Sequence, residues 1–232
     1  MTRASKTAGK GGRASKTAES GTVSKSAANG DRASESRDEN GSGEPLFFYM
    51  PDAKYGEFCQ WFPSIFSVPK SQIAELVGQT ISDLFDPEPS GPQGSITFSC
   101  AEQFMMYCKA ARFGDTDRQR RVLATQSPKE QKALGKGTVG FTDKSWDLVK
   151  SEVVIAGNIA KFGQNPSLRR KLLATGDRLL VEAASRDRVW GIGYSEKHAN
   201  HHRKHWGENR LGKALMAARE HLGEHSQPTE GA

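Results

Sequence analysis

Leu179-Leu-Val-Glu182-Ala-Ala-Ser-Arg-Asp187-Arg-Val-Trp190-Gly-Ile-Gly193 opens the stretch that decides the fold, and Trp206-Gly-Glu-Asn209-Arg-Leu-Gly212-Lys-Ala-Leu-Met216 closes it. The apolar run Leu179 to Val181 predicts a short buried strand, and it ends in a carboxylate, Glu182. A second carboxylate, Asp187, follows in a loop beside Trp190. Gly191 and Gly193 flank one Ile, which predicts backbone passing close to a ligand or to another chain segment. Asn209 is expected to open a helix with Leu211, Leu215, Ala218 and Leu222 on one face. Two readings fit these residues. One is a helix cap and a turn with a core Trp. The other is a polar pocket of carboxylates, an aromatic plate and a helix N-terminus.

Composition narrows the class. Hydrophobic residues make up 35% of the 232, low for a chain that folds throughout, so part of it is expected to be disordered. Residues 1–44 are the candidate: Arg3-Ala-Ser-Lys-Thr-Ala8 repeats as Arg13-Ala-Ser-Lys-Thr-Ala18 in a background of Ser, Lys, Gly and Ala. Such a tail cannot offset its ordering entropy. A folded domain is expected over 45–225 and a short flexible end over 226–232. Three cysteines, Cys59, Cys100 and Cys108, form no C-x-x-C pair and no even framework, which fits a reducing compartment. No apolar run approaches the roughly 18 residues of a membrane span, and no secretory h-region opens the chain. The expectation is an intracellular protein, cytoplasmic or nuclear, without a membrane partner. The net charge of +6 would suit a nucleotide or nucleic-acid partner. No basic stripe with interleaved aromatics accompanies it, so nucleic-acid binding through the tail stays a minor reading.

Between the tail and the deciding stretch, strands are expected at Leu46 to Met50, Ile65 to Val68 and Ser95 to Phe98. An aromatic loop, Tyr55 to Pro63, lies between the first two, and a short helix falls within Ser71 to Ser82. Asp86 to Pro92 reads as a surface loop. Ser99-Cys-Ala-Glu102 has the spacing of a capping box for a helix that stops at Gly114. On that helix Glu102 and Lys109 share one face, with Met105 and Met106 between them, while Phe104, Cys108 and Ala111 share another. Ser127-Pro-Lys-Glu130 starts a helix that should end at Gly135. Thr142 or Asp143 caps one long helix through Trp146, Val149, Val153 and Ala160. Asn165-Pro166 starts the next, which closes at Gly176.

Three motif matches are rejected on context. Gly135 to Gly140 has the letters of a dinucleotide fingerprint but follows a helix. Gly207 to Lys213 resembles a P-loop, yet Ala214 stands where Ser or Thr would hold magnesium. His198, His201, His202 and His205 share a face without a completing carboxylate or Cys, so no metal site is expected.

In order along the chain, the residues resemble the NADAR family, also called YbiA-like proteins. The carriers are Tyr55-Gly56 with Trp61-Phe62-Pro63, Ser99-Cys-Ala-Glu102-Gln103, Lys109-Ala110, Leu134-Gly135, Trp146 and Lys161-Phe162. Leu173-Ala-Thr175-Gly176-Asp177, Leu180-Val-Glu182-Ala183, Asp187 to Gly193 and Trp206 to Gly212 complete them. The likeness spans about Phe47 to Leu222. Cys59-Gln60-Trp61 stands where the family commonly has Ser-Asn-Phe or Ser-Asn-Trp, and 71–94 resembles an enlarged loop. The resemblance implies a mainly α fold (α+β minor), a compact helical domain with a few short strands. It also implies N-glycosidase chemistry, hydrolysis of a ribose C1–N bond, without a cofactor. The implied substrates are phosphoribosyl-aminopyrimidine intermediates of riboflavin synthesis or ADP-ribosylated guanine, so a small nucleotide or ADP-ribosylated nucleic acid is the expected partner.

Breaking a ribose C–N bond builds positive charge at C1 and the ring oxygen, which calls for a carboxylate and a nucleophile. Glu102, Lys109 and Asp187 are the catalytic candidates; Lys109 would form a Schiff base with the opened sugar or pair with phosphate. Tyr55, Trp61, Trp146, Lys161, Glu182, Trp190, Gly191, Gly193, Asn209, Arg210 and Gly212 are the substrate-binding candidates, with Arg210 and Lys213 placed for a phosphate. The alternative is a non-catalytic module that binds ADP-ribose or a nucleotide. Deleting residues 1–44 should leave the melting temperature and turnover nearly unchanged, measured side by side with the full chain; a large fall in either would mean that the tail docks on the domain.

Overall fold

A computed structural model describes residues 43–88 and 94–225. The expected tail therefore lies outside the described residues except for its last two positions. The expected flexible end, 226–232, and the later part of the Asp86 to Pro92 loop also lie outside them. The elements in chain order are β1 (Leu46–Phe48), β2 (Phe66–Pro69), α1 (Lys70–Val77), β3 (Ser95–Phe98), α2 (Ala101–Arg112), α3 (Thr116–Ala124) and α4 (Pro128–Lys136). They continue with α5 (Asp143–Asp147), α6 (Lys150–Gly163), α7 (Pro166–Leu173), β4 (Leu180–Glu182), α8 (Glu196–Ala199) and α9 (Arg210–Glu224). The fold is mainly helical, as expected.

Two small sheets accompany the helices. β1 and β4 run parallel, with Phe48 opposite Glu182. β2 and β3 run antiparallel, with Phe66 opposite Phe98. Helix α2 is central and touches α1, α3, α4 and α6, while α6 packs along α9. Phe98 joins the second sheet to α2, its ring 5.1 Å from Phe104 and 5.5 Å from Tyr107, both edge-on. Edge-on pairing matches the ring quadrupoles and adds to the burial of large apolar surfaces.

Three expectations need correction. The helix that starts at Pro128 continues through Gly135 to Lys136. Gly135 serves packing rather than termination: a Cβ there would lie 2.1 Å from the Met106 sulfur of α2. The long helix expected from Asp143 is two helices, α5 and α6, separated at Leu148 and Val149, and Leu148 is 73% exposed. The capping box Ser99 to Glu102 does not form. The helix starts after Cys100 with no side-chain cap, and Gln103 Oε1 instead accepts the Ser99 N–H at 2.7 Å. Gln103 Nε2 donates to the carbonyls of Val122 and Thr125, so this buried amide fastens α2 to the end of α3.

Where α2 and α6 cross, Gly157 leaves no room for a side chain. A Cβ at this position would lie 2.6 Å from the fully buried Phe104 ring. Gly157→Ala should destabilise the protein by about 1–3 kcal/mol, the usual cost of overpacking a filled core. Urea unfolding of both proteins checks this, and an unchanged midpoint would mean that the crossing relaxes freely.

Candidate active site

The helices and β4 enclose a cavity of about 630 Å³. Glu102 enters it from the first turn of α2, and Met105, Met106 and Lys109 follow on the same face. Its backbone N–H donates to the Gln60 carbonyl at 3.0 Å, which ties the start of α2 to the aromatic loop. Released from capping, the Glu102 side chain turns inward and is buried, 5% exposed, with a hydrogen bond from Trp61. Glu182, the last residue of β4, lines the same cavity, as do Asp187 and Trp190 from the loop beyond it.

Burial dominates the electrostatics. It pushes the Glu102 carboxyl up to about 7, and Asp187 adds to the rise; Lys132, the Trp61 bond and Lys109 oppose it. Glu182 is pushed up to about 8 by burial, then by Asp187 and Glu102, with Lys132 opposing. Its Oε2 is buried and has no hydrogen-bond partner among the described residues. The Lys109 ammonium lies 3.8 Å from the centre of the Phe141 ring, a cation–π contact. Burial holds Lys109 below the ordinary lysine range, against Asp143 and Glu102. Asp187 Oδ1 accepts the N–H groups of Val189 at 2.9 Å and Trp190 at 2.8 Å, which fixes the loop and its indole. Two carboxyls that hold protons near neutrality, one fixed acid and one desolvated amine therefore face one polar space, a set suited to proton transfer and nucleophilic attack.

The cavity gathers Glu102, Lys109 and Asp187 with Trp61, Trp146, Glu182 and Trp190. The other sequence candidates lie elsewhere. Lys161 is fully buried, and its Nζ donates to the carbonyls of Glu57 and Cys59 at 2.8 and 2.9 Å. Tyr55 stacks on Phe58 with ring centres 6.2 Å apart. Asn209 gives its amide to β4: Nδ2 donates to the Leu180 carbonyl and Oδ1 accepts the Glu182 N–H. Gly191 and Gly212 are sites of close chain approach. Their Cβ atoms would meet the Glu182 carbonyl at 2.7 Å and the Leu180 carbonyl at 2.1 Å. Gly193 adopts φ 77° beside the Arg188 side chain. Arg210 pairs with Glu208. Lys213 is exposed on α9, away from the cavity lining.

Sequence reasoning missed Lys132 and Lys136 on α4, Lys150 at the start of α6, and Arg186 and Arg188 beside Asp187. Lys132 and Lys136 are one helical turn apart, a spacing that was legible. An exposed helix face carries the same spacing, so the signal alone could not separate them. Among the described residues no group of His, Cys, Asp and Glu is arranged to hold a metal ion. The histidines 198 to 205 form an exposed turn in which His202 stacks on Tyr194. No helix among the described residues is long and apolar enough to cross a membrane.

Comparison with known proteins adds four findings. The family model described as the NADAR domain matches residues 47–223. An N-glycosidase of Acanthamoeba polyphaga mimivirus is 35% identical over 165 residues, which cover 70% of this chain and 85% of the viral protein. A riboflavin biosynthesis protein of Vibrio vulnificus is 28% identical over 183 residues, 79% of this chain and 40% of that protein. In structure, the E. coli protein YbiA superposes with a TM-score of 0.57 at 23% identity, covering 82% of this chain and 93% of that one, a likeness of fold. The family match spans the helices, the cavity and the deciding stretch alike: the chain belongs to the NADAR family.

Proposed function

We infer that this chain is an N-glycosidase that hydrolyses the bond between ribose C1 and a base or amine nitrogen. One observation carries the reading: Glu102 and Glu182, both raised toward neutrality, share a cavity with a desolvated Lys109. A departing ring nitrogen needs a proton, and a carboxyl that still holds one near pH 7 can supply it. Positive charge at C1 needs a nearby carboxylate, a role Asp187 fits. A reader of ADP-ribose would need the indoles and cations but not acids held protonated beside an amine.

Two routes use these groups. In the first, Lys109, whose proton burial makes easier to release, gives that proton up and bonds to C1 as the C–N bond breaks, and the acid's proton goes to the leaving nitrogen. A proton of the bonded nitrogen passes to the ring oxygen as the sugar opens to a Schiff base, which water hydrolyses to the free sugar, phosphorylated as the substrate was; the released lysine returns a proton to the carboxylate. In the second, water takes the place of Lys109. The Vibrio relative, 40% of which is matched, is named for riboflavin biosynthesis, which makes phosphoribosyl-aminopyrimidines one substrate class to test; ADP-ribosylated guanine, free or in nucleic acid, is the other. Incubating the purified chain with both and resolving the products by mass spectrometry tests the reading. Release of neither base would sink it.

Glu102→Gln should lower turnover roughly a hundredfold or more, the scale of a lost general acid, without loss of thermal stability. Lys109→Ala should abolish turnover. Borohydride should trap a ribosyl adduct on the unmodified chain and none on this variant. A fully active lysine variant would leave the direct water route.

Stability should also depend on pH. The carboxyls have an ordinary value of 4.5, which the unfolded chain follows, whereas the folded chain holds these protons to about 7 at Glu102 and about 8 at Glu182. Across that interval the folded state binds more protons than the unfolded one. Stability is therefore greatest at the acid end and falls as pH rises, until both carboxyls are ionised. Urea midpoints from about pH 5 to about pH 9 should show the decline, and Glu182→Gln should flatten it. An equal slope in the variant would place the titration on other groups.

A further inference from the structure

Lys150 lines the cavity and pairs with Asp147, the usual arrangement for a lysine beside a carboxylate. Lys109 forms no salt bridge among the described residues. Its partner is the Phe141 ring, whose centre lies 3.8 Å from the nitrogen. That ring is held from several sides. Phe141 stands in the loop 137–142 between α4 and α5. At the front of the loop the Val139 N–H donates to Asp115 Oδ2 at 2.8 Å, and Thr138 Oγ1 donates to the Gly135 carbonyl at 3.0 Å. At its end Thr142 caps α5, its Oγ1 accepting the Ser145 N–H at 3.3 Å. Between them Gly140 turns the chain at φ 74°, a conformation that favours glycine. Phe113, which closes α2 four positions beyond Lys109, meets the Phe141 ring edge-on with centres 5.5 Å apart.

An aromatic face attracts positive charge but neither takes nor gives a proton. A carboxylate at the same distance would hold the ammonium more strongly and keep it protonated. The ring therefore fixes the nitrogen without locking its proton. The Schiff-base route places charge on that nitrogen again. As its lone pair bonds to C1, the electron pair of the broken bond leaves with the departing nitrogen, and the Lys109 nitrogen becomes positive. It passes one proton to the ring oxygen as the C1–O bond opens, and it keeps the charge as the protonated Schiff base. A ring face already set against the ammonium needs no reorganisation to meet these charges.

We propose that Phe141 is a positioning residue for the reaction: its ring holds the Lys109 nitrogen in the cavity and stabilises the positive charge which that nitrogen carries before and after it bonds to C1. The inference rests on the Schiff-base route, but its first test needs no substrate. A ring that only fills space predicts the opposite sign. Removing a filler admits water and relieves the burial that holds Lys109 down, so the lysine moves up toward its ordinary range. Removing a cation–π partner takes support from the charged form, so the lysine moves further down. The other charges around Lys109 are common to every variant. Asp143 at the start of α5 and Glu102 in the first turn of α2 act on it directly. Lys132 and Lys136 of α4, Lys150 of α6 and the charged residues from Glu182 to Arg188 line the same cavity.

Acetic anhydride acylates only neutral amines. Labelling the full chain from about pH 6 to about pH 10 and reading Lys109 by peptide mass spectrometry gives the pH of half-maximal reaction. In Phe141→Leu that midpoint should move down by roughly half to one and a half pH units, the scale of a cation–π contact. Phe141→Tyr keeps an aromatic face and should restore it. A ring-trifluorinated phenylalanine at the same position keeps the size and weakens the face, so the midpoint should fall even where Phe141→Leu fails to fold. Turnover is then measured on whichever glycoside the unmodified chain cleaves, phosphoribosyl-aminopyrimidine or ADP-ribosylated guanine. In Phe141→Leu kcat should fall roughly tenfold although the amine is free at lower pH, and it should recover in Phe141→Tyr. A midpoint that stays or rises in the fluorinated or Leu chain overturns the proposal, as does an unchanged kcat in a folded Phe141→Leu. Full turnover in Lys109→Ala overturns it too and leaves the N-glycosidase reading intact. If no glycoside is cleaved yet the midpoint moves down, the hold of Phe141 on Lys109 stands and the N-glycosidase reading falls.

Discussion

Asn209 sits in the left-handed backbone region, φ 51°, where a non-glycine residue is uncommon. Its side chain does not cap α9. The amide reaches β4 instead, donating to the Leu180 carbonyl at 2.9 Å and accepting the Glu182 N–H at 3.0 Å. β4 is three residues long and has one strand neighbour, β1. These polar groups would otherwise remain unmatched in a buried place. The clamp has a steric condition: Gly212 must lack a side chain, because the Leu180 carbonyl occupies the position of its Cβ. Asn209 and Gly212 therefore bring α9 against β4 and fix the residue that ends the strand, Glu182.

A second buried polar device sets the opposite acid. Lys161 on α6 is wholly enclosed and donates to the carbonyls of Glu57 and Cys59. Enclosure lowers it to about 8, the direction expected when an ammonium leaves water. Its hydrogen bonds hold the aromatic loop in place. The loop then supplies the Gln60 carbonyl to the Glu102 N–H and a hydrogen bond from Trp61 to the Glu102 carboxyl. From α6 to the loop to α2, one chain of contacts leads from a core lysine to a carboxyl in the cavity.

These two devices explain what was legible in the sequence. Apolar runs placed all four strands and most helices, because burial imposes its period on side chains that have no other task. The carboxylates, Lys109 and three tryptophans of the cavity were legible too, by chemistry and order along the chain. Asn209, Lys161 and the glycines carried equally clear signals, yet their partners are backbone groups far away in sequence. No local spacing distinguishes an amide that holds a strand from one that holds a ligand. The same limit hid Gln103, whose bonds to the end of α3 displaced the expected Glu102 cap. The break at Leu148 was hidden for another reason: apolar letters continue through it, but the side chain points to solvent.

The clamp and the chemistry are one constraint seen from two sides. A carboxyl keeps its proton near neutrality only while water is kept from it, and Glu182 owes most of its rise to burial. Burial also leaves its Oε2 without a hydrogen-bond partner among the described residues, a cost that the packing of α9 against β4 offsets. A substrate donor reaching that oxygen would meet a group already stripped of water, so little reorganisation stands between binding and reaction. Were the strand end to loosen, water would solvate Glu182, its proton would leave at lower pH, and the unpaired oxygen would be satisfied without substrate. Rigidity contributed by Asn209, which lies outside the cavity, is thus a condition for acidity within it.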